Sequence, residues 1–185
     1  MPNSSFSEFV LNYIKEPSGK SLLDIGCGDG RDSVFFANNE IQTEGIDFST
    51  SALNNKNNNN NKLLKFTELD LLDIDKLNNS YDYAYCRFLF HAISEDIEDV
   101  ILKWLRKNIK NSIFIETRIH NKLKPNVEET HYRRYFTEEE FKKTLKNYNY
   151  NIIFSESSRN FSKYRKIYNV EDLKDDPLLL RLIIE

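Results

Sequence analysis

Apolar residues recur along this chain with two different patterns, one typical of amphipathic helices and one typical of strands. Over residues 5–15 and 97–108 the apolar side chains recur at the spacing of an amphipathic helix, with Ser5 or Ser7 as the predicted cap of the first. Short apolar or alternating runs of strand length lie between the helical segments. The predicted strands span residues 22–25, 42–47, 63–69, 81–87, 112–116, 152–156 and 178–184. Helices are predicted over 5–15, 32–39, 97–108 and 137–147, so the pattern indicates an α/β protein.

A glycine-rich turn joins the first predicted strand to the helix that follows it. Gly26, Gly28 and Gly30 alternate with polar residues directly after the apolar run 22–25. A strand, a glycine turn and a helix in this order place a ligand against a helix N-terminus, and glycine permits positive φ and close backbone approach. A dinucleotide fingerprint, G-x-G-x-x-G, would need its third glycine where Arg31 stands. The spacing therefore argues against a nicotinamide dinucleotide site.

This stretch, LLDIGCGDGRDS with Asp24 before the glycines, resembles the first motif of the class I S-adenosylmethionine (SAM) methyltransferases. The resemblance covers nearly the whole chain, because seven predicted strands alternate with helices and the last two strands are consecutive. It implies a Rossmann-like sheet of six parallel strands and one antiparallel strand, with helices on both faces. It also implies SAM as the cofactor, with the loop beside the methionine part and Asp24 near its amine.

Acids at the ends of the second and third strands complete the cofactor residues that the resemblance implies. Asp47 lies about twenty residues past the glycines, where an acid accepts hydrogen bonds from ribose hydroxyls; its alternative role is capping of the next helix. Asp70 would lie near the adenine amine, and its alternative is an ordinary loop aspartate. The predicted cofactor-binding residues are Asp24, Gly26, Cys27, Gly28, Gly30, Arg31, Asp32, Asp47, Phe48, Asp70, Leu71 and Cys86.

The end of the fourth strand is the predicted acceptor side of the site. In open α/β sheets, ligands bind beyond the carboxyl ends of the strands, and Arg87 and His91 stand there as the predicted catalytic residues. His91 has three open roles: a base, a hydrogen-bond donor to substrate, or a packed helix residue. The chain lacks the N/D-P-P-Y/F/W sequence of methyltransferases that modify DNA bases, which argues against that chemistry.

A long basic segment at about residues 118–136 is the predicted substrate loop. Its histidines and arginines are interleaved with tyrosines, and a loop of this length inside a domain is usually functional. The alternative is a solvated surface in which Glu128 and Glu129 neutralise the arginines. The predicted substrate-binding residues are Arg87, His91, Arg118, His131, Tyr132, Arg133 and Arg134.

Composition narrows the expected setting and partners. The chain has 185 residues and a formal net charge of -3, which predicts one domain over 1–185 and argues against a general nucleic-acid binder. Its two cysteines have neither disulfide nor metal spacing, which favours a reducing, cytoplasmic setting and predicts no metal. The sequence shows no signal peptide and no run of transmembrane length, so no membrane partner is expected. The oligomeric state is not predicted.

A second resemblance concerns the substrate. Residues 118–120 and 130–135 resemble a smaller bacterial group encoded near genes for surface-polysaccharide and phosphoramidate or phosphonate modification. This implies a small anionic acceptor that carries phosphate or phosphoramidate, and a role in capsule biosynthesis. One alternative is a methyltransferase for a neutral small molecule or a metalloid. The other is a SAM-binding protein without catalysis.

Overall fold

A seven-stranded sheet forms the centre of the computed structural model, which describes residues 2–49, 60–120, 133–161 and 177–185. The strands are β1 (Ser21–Ile25), β2 (Gln42–Asp47), β3 (Leu64–Glu68), β4 (Tyr83–Arg87), β5 (Ile113–Arg118), β6 (Ile152–Ser158) and β7 (Leu179–Ile184). The α-helices are α1 (Ser5–Ile14), α2 (Arg31–Asn38), α3 (Glu95–Asn108) and α4 (Glu138–Asn147), and a 3₁₀ helix covers Leu71–Lys76.

The strand order determines where a ligand can bind. The order is β3-β2-β1-β4-β5-β7-β6, and β7 runs antiparallel to the other six strands. The predicted sheet of six parallel strands and one antiparallel strand is therefore confirmed. The order reverses between β1 and β4, and open α/β sheets bind ligands in the crevice beyond the strand ends at such a point.

Each face of the sheet has its own helices and its own core. On one face, Phe6 of α1 and Phe36 of α2 both contact the ring of Tyr85. On the other face, Trp104 of α3 and Phe141 of α4 belong to a larger apolar cluster. Each such side chain contributes roughly 1.5–3 kcal/mol when it is fully buried. The two cores hold the strand ends in place from both sides.

The first helix begins at Ser5 as predicted, but its capping residue differs from the predicted one. Ser5 or Ser7 is wrong as the cap of α1; Ser4 caps it, and its Oγ accepts the N–H of Ser7 at 3.1 Å. The physical reason is tertiary: the carboxylate of Asp32 accepts both the N–H and the hydroxyl of Ser4, which holds that residue in an extended conformation.

Other helix ends follow their local sequence. Thr137 and Glu140 form a reciprocal capping box at the start of α4, where the helix was predicted to begin. The 3₁₀ helix was not predicted, since its residues show no clear helical period. Within the described part of the chain, no helix has the length and apolar character needed to cross a membrane.

Candidate active site

The glycine turn after β1 forms a cradle of backbone atoms. Gly26 and Cys27 donate their N–H groups to the carbonyl of Ile46 at 2.9 and 3.0 Å, which fastens the turn to β2. Gly28 has φ +53°, in the left-handed region that favours glycine. A Cβ added to Gly28 would meet no atom within 4 Å, so open space lies beside the turn. The backbone at Gly28 is therefore accessible to a ligand.

Asp47 ends β2 beside this turn. Its Oδ2 accepts the N–H of Gly28 at 2.8 Å, and its Oδ1 accepts the N–H of Ser49 at 2.9 Å. An ionised carboxylate offers about four acceptor positions, so these two bonds leave capacity for two hydroxyl donors. The adjoining Phe48 is 72% exposed. The helix that Asp47 was alternatively predicted to cap falls largely on residues outside those described.

Asp24 lies buried beneath the turn. Its Oδ2 accepts the hydroxyl of Ser33, in the first turn of α2, at 2.5 Å. A Cβ on Gly45 of β2 would lie 2.8 Å from the Oγ of Ser33 and equally close to the ring of Phe66. The missing side chain at Gly45 therefore lets α2 start close to the sheet. The contact of Asp24 with the amine of SAM stays a prediction.

Asp32 joins α2 to α1 and β4. Its Oδ1 accepts the N–H of Ser4 at 2.7 Å, and its Oδ2 accepts the hydroxyls of Ser4 and Tyr85, each at 2.8 Å. Burial and the nearby charge of Asp32 raise the pKa of Tyr85. Since protein donors already occupy both oxygens of this buried carboxylate, we assign Asp32 to anchoring α1 and leave it out of the cofactor set proposed below.

The other predicted cofactor residues occupy different settings. Gly30 caps α2 with φ +67°, and Arg31 begins that helix. Asp70 is exposed and caps the 3₁₀ helix, while Leu71 packs partly against the larger core. Cys86 is fully buried, and burial raises the pKa of its thiol. Burial leaves the Cys86 thiol no exposed surface for a ligand to contact.

The carboxyl end of β4 combines an arginine with unusual backbone geometry. Nε of Arg87 donates to Oε1 of the buried Glu116 on β5 at 2.9 Å. Phe88 follows with φ +58°, a left-handed conformation that costs a bulky residue roughly 1–3 kcal/mol and tends to mark functional sites. The Cζ atoms of Arg87 and Arg118 lie 4.2 and 5.7 Å from the centroid of the Phe88 ring. One aromatic ring thus holds two guanidinium groups from the ends of adjacent strands.

His91 lies buried next to these arginines. Burial, followed by the charges of Arg118, Arg133 and His120, lowers the pKa of His91 to about 3. Its Nδ1 accepts the N–H of Arg118 at 3.4 Å and lies 3.2 Å from Oγ1 of Thr117. Because Nδ1 accepts, we infer that the proton of the neutral ring is on Nε2. Among the three roles left open by the sequence, this geometry favours the hydrogen-bond donor over the base.

The basic segment is fastened at the end that the structure describes. Nη2 of Arg134 donates to Oε1 of Glu98 on α3 at 3.1 Å, and its Nη1 lies 3.0 Å from Oε2. The N–H of Arg134 donates to the carbonyl of His91 at 2.8 Å. Because the ion pair between Arg134 and Glu98 is largely buried, we assign Arg134 to holding the segment in place and leave it out of the substrate set.

The other predicted residues of this segment differ in what can be said of them. Arg133 is half-buried, and its charge helps to lower the pKa of His91. Outside the described residues lie His131 and Tyr132.

Two charged residues near the site were not predicted. Oε2 of Glu116 accepts Nε of Arg181, on β7, at 2.7 Å, and both side chains are buried. Arg181 is the one charged residue in the apolar run 178–184. A lone charge in a buried strand requires a buried counter-charge, so the sequence did contain a sign of this pair. It did not indicate which acid the partner would be.

In the ranges that the structure describes, no group of three or more histidine, cysteine, aspartate or glutamate side chains is arranged to hold a metal ion.

Comparisons with known proteins agree with this geometry. A family model described as a methyltransferase domain matches residues 23–111, which include the glycine turn, Asp47, Arg87 and His91. Uncharacterized protein RP028 of Rickettsia prowazekii (strain Madrid E) is 30% identical over 92 residues, which make up 46% of this chain and 37% of that protein. The matched part thus spans well under half of the relative's length.

Solved structures share the fold at low sequence identity. A SAM-dependent methyltransferase from Clostridium acetobutylicum ATCC 824 is 13% identical, with a TM-score of 0.72 over 98% of this chain and 90% of that one. A Burkholderia thailandensis 1,6-didemethyltoxoflavin-N1-methyltransferase, solved with its acceptor and S-adenosylhomocysteine, is 16% identical, with a TM-score of 0.72 over 97% and 75%. Residues 23–111 thus match the methyltransferase-domain family, and the sheet has the fold of a solved SAM-dependent methyltransferase.

Proposed function

We propose that this protein transfers the methyl group of SAM to a small anionic metabolite. In its sharpest form, the acceptor is a phosphate- or phosphoramidate-bearing intermediate of surface-polysaccharide modification. The first half of the proposal rests on the glycine turn between β1 and α2 and on Asp47 at the end of β2, and the second half on the ends of β4 and β5.

The chemistry of the turn fits SAM. Gly28 leaves open space beside the backbone, Asp47 keeps acceptor capacity for ribose hydroxyls, and the exposed ring of Phe48 suits an adenine. SAM supplies a methyl group already activated on a sulfonium. The protein's own task is to hold the acceptor in line with that group and to exclude water, and orientation of this kind supplies roughly 7–11 kcal/mol in favourable cases.

The observation that carries the anionic acceptor is the pairing of Arg87 and Arg118 on the ring of Phe88. The two arginines come from neighbouring strand ends, at the edge where such sheets bind ligands. A guanidinium fork donates two parallel hydrogen bonds to phosphate or carboxylate oxygens. Arg133 adds positive charge nearby, since its charge helps to lower the pKa of His91. This local excess of positive charge attracts an anion despite the negative net charge of the chain.

His91 serves this reaction as a donor. With its proton on Nε2, the neutral ring would donate a hydrogen bond to an oxygen of the acceptor. A pKa of about 3 makes it a weak base at neutral pH. An anionic oxygen needs no base, because its lone pair is already available to attack the methyl group. The small size of the acceptor is proposed by analogy with the Burkholderia neighbour, which is a 1,6-didemethyltoxoflavin-N1-methyltransferase.

Product analysis tests the proposal. The protein is incubated with SAM and, separately, phosphorylated, phosphoramidate, neutral and metalloid acceptors, and mass spectrometry follows the added methyl group. We expect a methylated phosphorus-containing product whose formation falls at least tenfold in Arg87→Gln, while S-adenosylhomocysteine affinity stays unchanged. Turnover of a neutral or metalloid acceptor that is insensitive to Arg87→Gln would overturn the anionic acceptor. Tight SAM binding with no product in any class would favour the non-catalytic alternative.

A further inference from the structure

A row of alternating charges crosses the sheet beside the proposed acceptor site. Arg87 on β4 is in register with Glu116 on β5, Glu116 with Arg181 on β7, and Arg181 with Glu156 on β6. Directly opposed residues of neighbouring strands lie on the same face and interact. The first three form two ion pairs through one carboxylate, so this part of the row keeps one net positive charge.

Glu116 has little freedom to move. Its two oxygens are shared between Nε of Arg87 at 2.9 Å and Nε of Arg181 at 2.7 Å, and its side chain is 2% exposed. Arg181 is itself fixed: its Nη2 donates to Oγ of Ser5 at 2.8 Å, and its Cζ lies 4.0 Å from the centroid of the Phe161 ring. The start of α1 and the aromatic ring therefore hold the carboxylate through Arg181.

Arg87 is held at one edge only. Its Nε donates to Glu116 and its guanidinium lies over Phe88, and its Nη groups make no hydrogen bond to the part of the chain that the structure describes. Its side chain retains 16% exposure, against 2% for Glu116. A guanidinium fixed through Nε keeps the paired Nη donors of its outer edge for a ligand.

We propose that Glu116 is a positioning residue, which fixes the Arg87 guanidinium through Nε so that its outer edge binds the anionic group of the acceptor. This rests on the proposed function, because it assumes that Arg87 binds the acceptor. Glu116 itself does not contact the acceptor; it acts through Arg87, and Arg181 and the start of α1 keep it in place.

If Glu116 positions Arg87, its removal should change anion affinity in the direction opposite to that expected from charge alone. Removing a carboxylate close to an anion site should strengthen anion binding if only charge matters, because one repulsive charge is lost. If Glu116 orients Arg87, its removal should weaken anion binding instead. Glu116→Gln removes the charge, and Glu116→Asp keeps the charge while shortening the reach to the two arginines. Glu156→Gln is the matched control, since it removes an exposed acid from the same row.

The first measurement needs no substrate. Nuclear magnetic resonance of arginine side chains, with the Arg87 Nε–Hε signal assigned from Arg87→Lys, reports solvent exchange and order at that group. We expect slow exchange and high order in the wild type and in Glu156→Gln, and loss of both in Glu116→Gln. Glu116→Asp should show the same loss, and it provides the readout if the glutamine variant does not fold. An unchanged Arg87 signal in a folded Glu116 variant overturns the proposal whatever the acceptor is.

The second measurement uses inorganic phosphate as the probe, titrated by calorimetry in the presence of S-adenosylhomocysteine. We expect about tenfold weaker phosphate binding in Glu116→Gln, the size of one lost charge-assisted hydrogen bond, and no further loss when it is added to Arg87→Gln. Stronger binding in Glu116→Gln overturns the positioning role alone. Equal phosphate affinity in the wild type and Arg87→Gln, with the Arg87 signal still dependent on Glu116, overturns the anionic acceptor and leaves the contact between the two residues established.

Discussion

The two halves of the proposed site are built by different means. At the end of β1 and β2 the recognition elements are backbone groups of the glycine turn and one carboxylate, Asp47. At the end of β4 and β5 they are side chains that neighbouring strands place side by side, Arg87 with Glu116 and both with Phe88. A backbone cradle tolerates little change in geometry, whereas a side-chain cluster can change its ligand by substitution. The first half suits a cofactor shared across a family, and the second suits an acceptor that differs between members.

The two halves meet at the start of α1. Ser4 hydrogen-bonds Asp32, which directly follows the glycine turn and Arg31, and Ser5 accepts a hydrogen bond from Arg181, which pairs with Glu116. Two consecutive residues of one helix end therefore contact both halves. Changes to the contacts at the start of α1 should act mainly on stability, while changes to the ligand-binding groups of either half should leave the other half's ligand unaffected.

The largest effect is expected from Asp32→Ala, which removes the hydrogen bonds that connect α2 to the start of α1. The variant leaves three buried donors without their acceptor, which should lower the free energy of unfolding by roughly 3 kcal/mol or more. For a domain of this size, that corresponds to a fall in Tm of about 6–12 °C. Asp29→Ala, an exposed acid of the same turn, is the control and should stay within about 0.5 kcal/mol. Equal melting temperatures for the two variants would show that Asp32 does not anchor α1.

Asp47→Ala should act on the cofactor half alone. Loss of a charged acceptor should weaken SAM and S-adenosylhomocysteine binding by roughly 1.5–3 kcal/mol, which is about 10- to 150-fold by calorimetry. Glu68→Ala, the exposed acid opposite Asp47 in β3, is the charge-matched control and should bind normally. Unchanged SAM affinity in a folded Asp47→Ala protein would contradict the ribose role.

Arg118→Lys should act on the acceptor half alone. Lysine keeps the charge but loses the planar fork, so kcat/KM for the acceptor should fall by about tenfold while SAM affinity stays constant. Arg134→Lys is the comparison, because its guanidinium is paired with Glu98; it should lower stability and leave KM unchanged. Normal turnover in Arg87, Arg118 and Arg133 variants together would show that the basic segment is a solvated surface.

Much of the geometry of the cofactor half was predictable because its residues follow a characteristic spacing along the chain. Asp47 and Gly28 are 19 positions apart, and the turn between β1 and α2 has a glycine spacing with a direct conformational cause. The strands were predictable for the same reason, since apolar periodicity acts over a few residues. The contact of Asp32 with Ser4 was not predictable, because the two residues are 28 positions apart and nothing local in the sequence indicates it.

The acceptor half was predictable only in part. Arg87 and Arg118 follow from the rule that ligands bind at strand ends, whereas the ion pairs of Glu116 depend on strand register. Arg87 and Glu116 are 29 positions apart, and Glu116 and Arg181 are 65 apart. Their pairing requires β7 to lie next to β5, which is a property of the whole sheet. The left-handed φ of Phe88 likewise has no marker in the sequence, because a bulky residue normally avoids that region.

A pH dependence of stability is also expected to arise in the acceptor half. In the fold, the pKa of His91 is lowered to about 3 from an ordinary value of 6.5. Between these two values the unfolded chain binds this proton and the folded chain does not. His91 therefore adds no pH dependence above about pH 6.5. Below that pH the free energy of unfolding falls, by at most about 1.4 kcal/mol per pH unit.

The variant His91→Gln isolates this contribution. It is needed because carboxylates with lowered pKa values, such as Glu44 and Asp82, contribute with the same sign at lower pH. Urea unfolding at pH 5, 6 and 7 should give a shallower pH slope in His91→Gln than in the wild type, and the difference between the two should vanish above pH 7. Parallel slopes would mean that His91 takes up its proton as readily in the folded protein as in the unfolded chain, and the donor role assigned to its neutral ring would then be wrong.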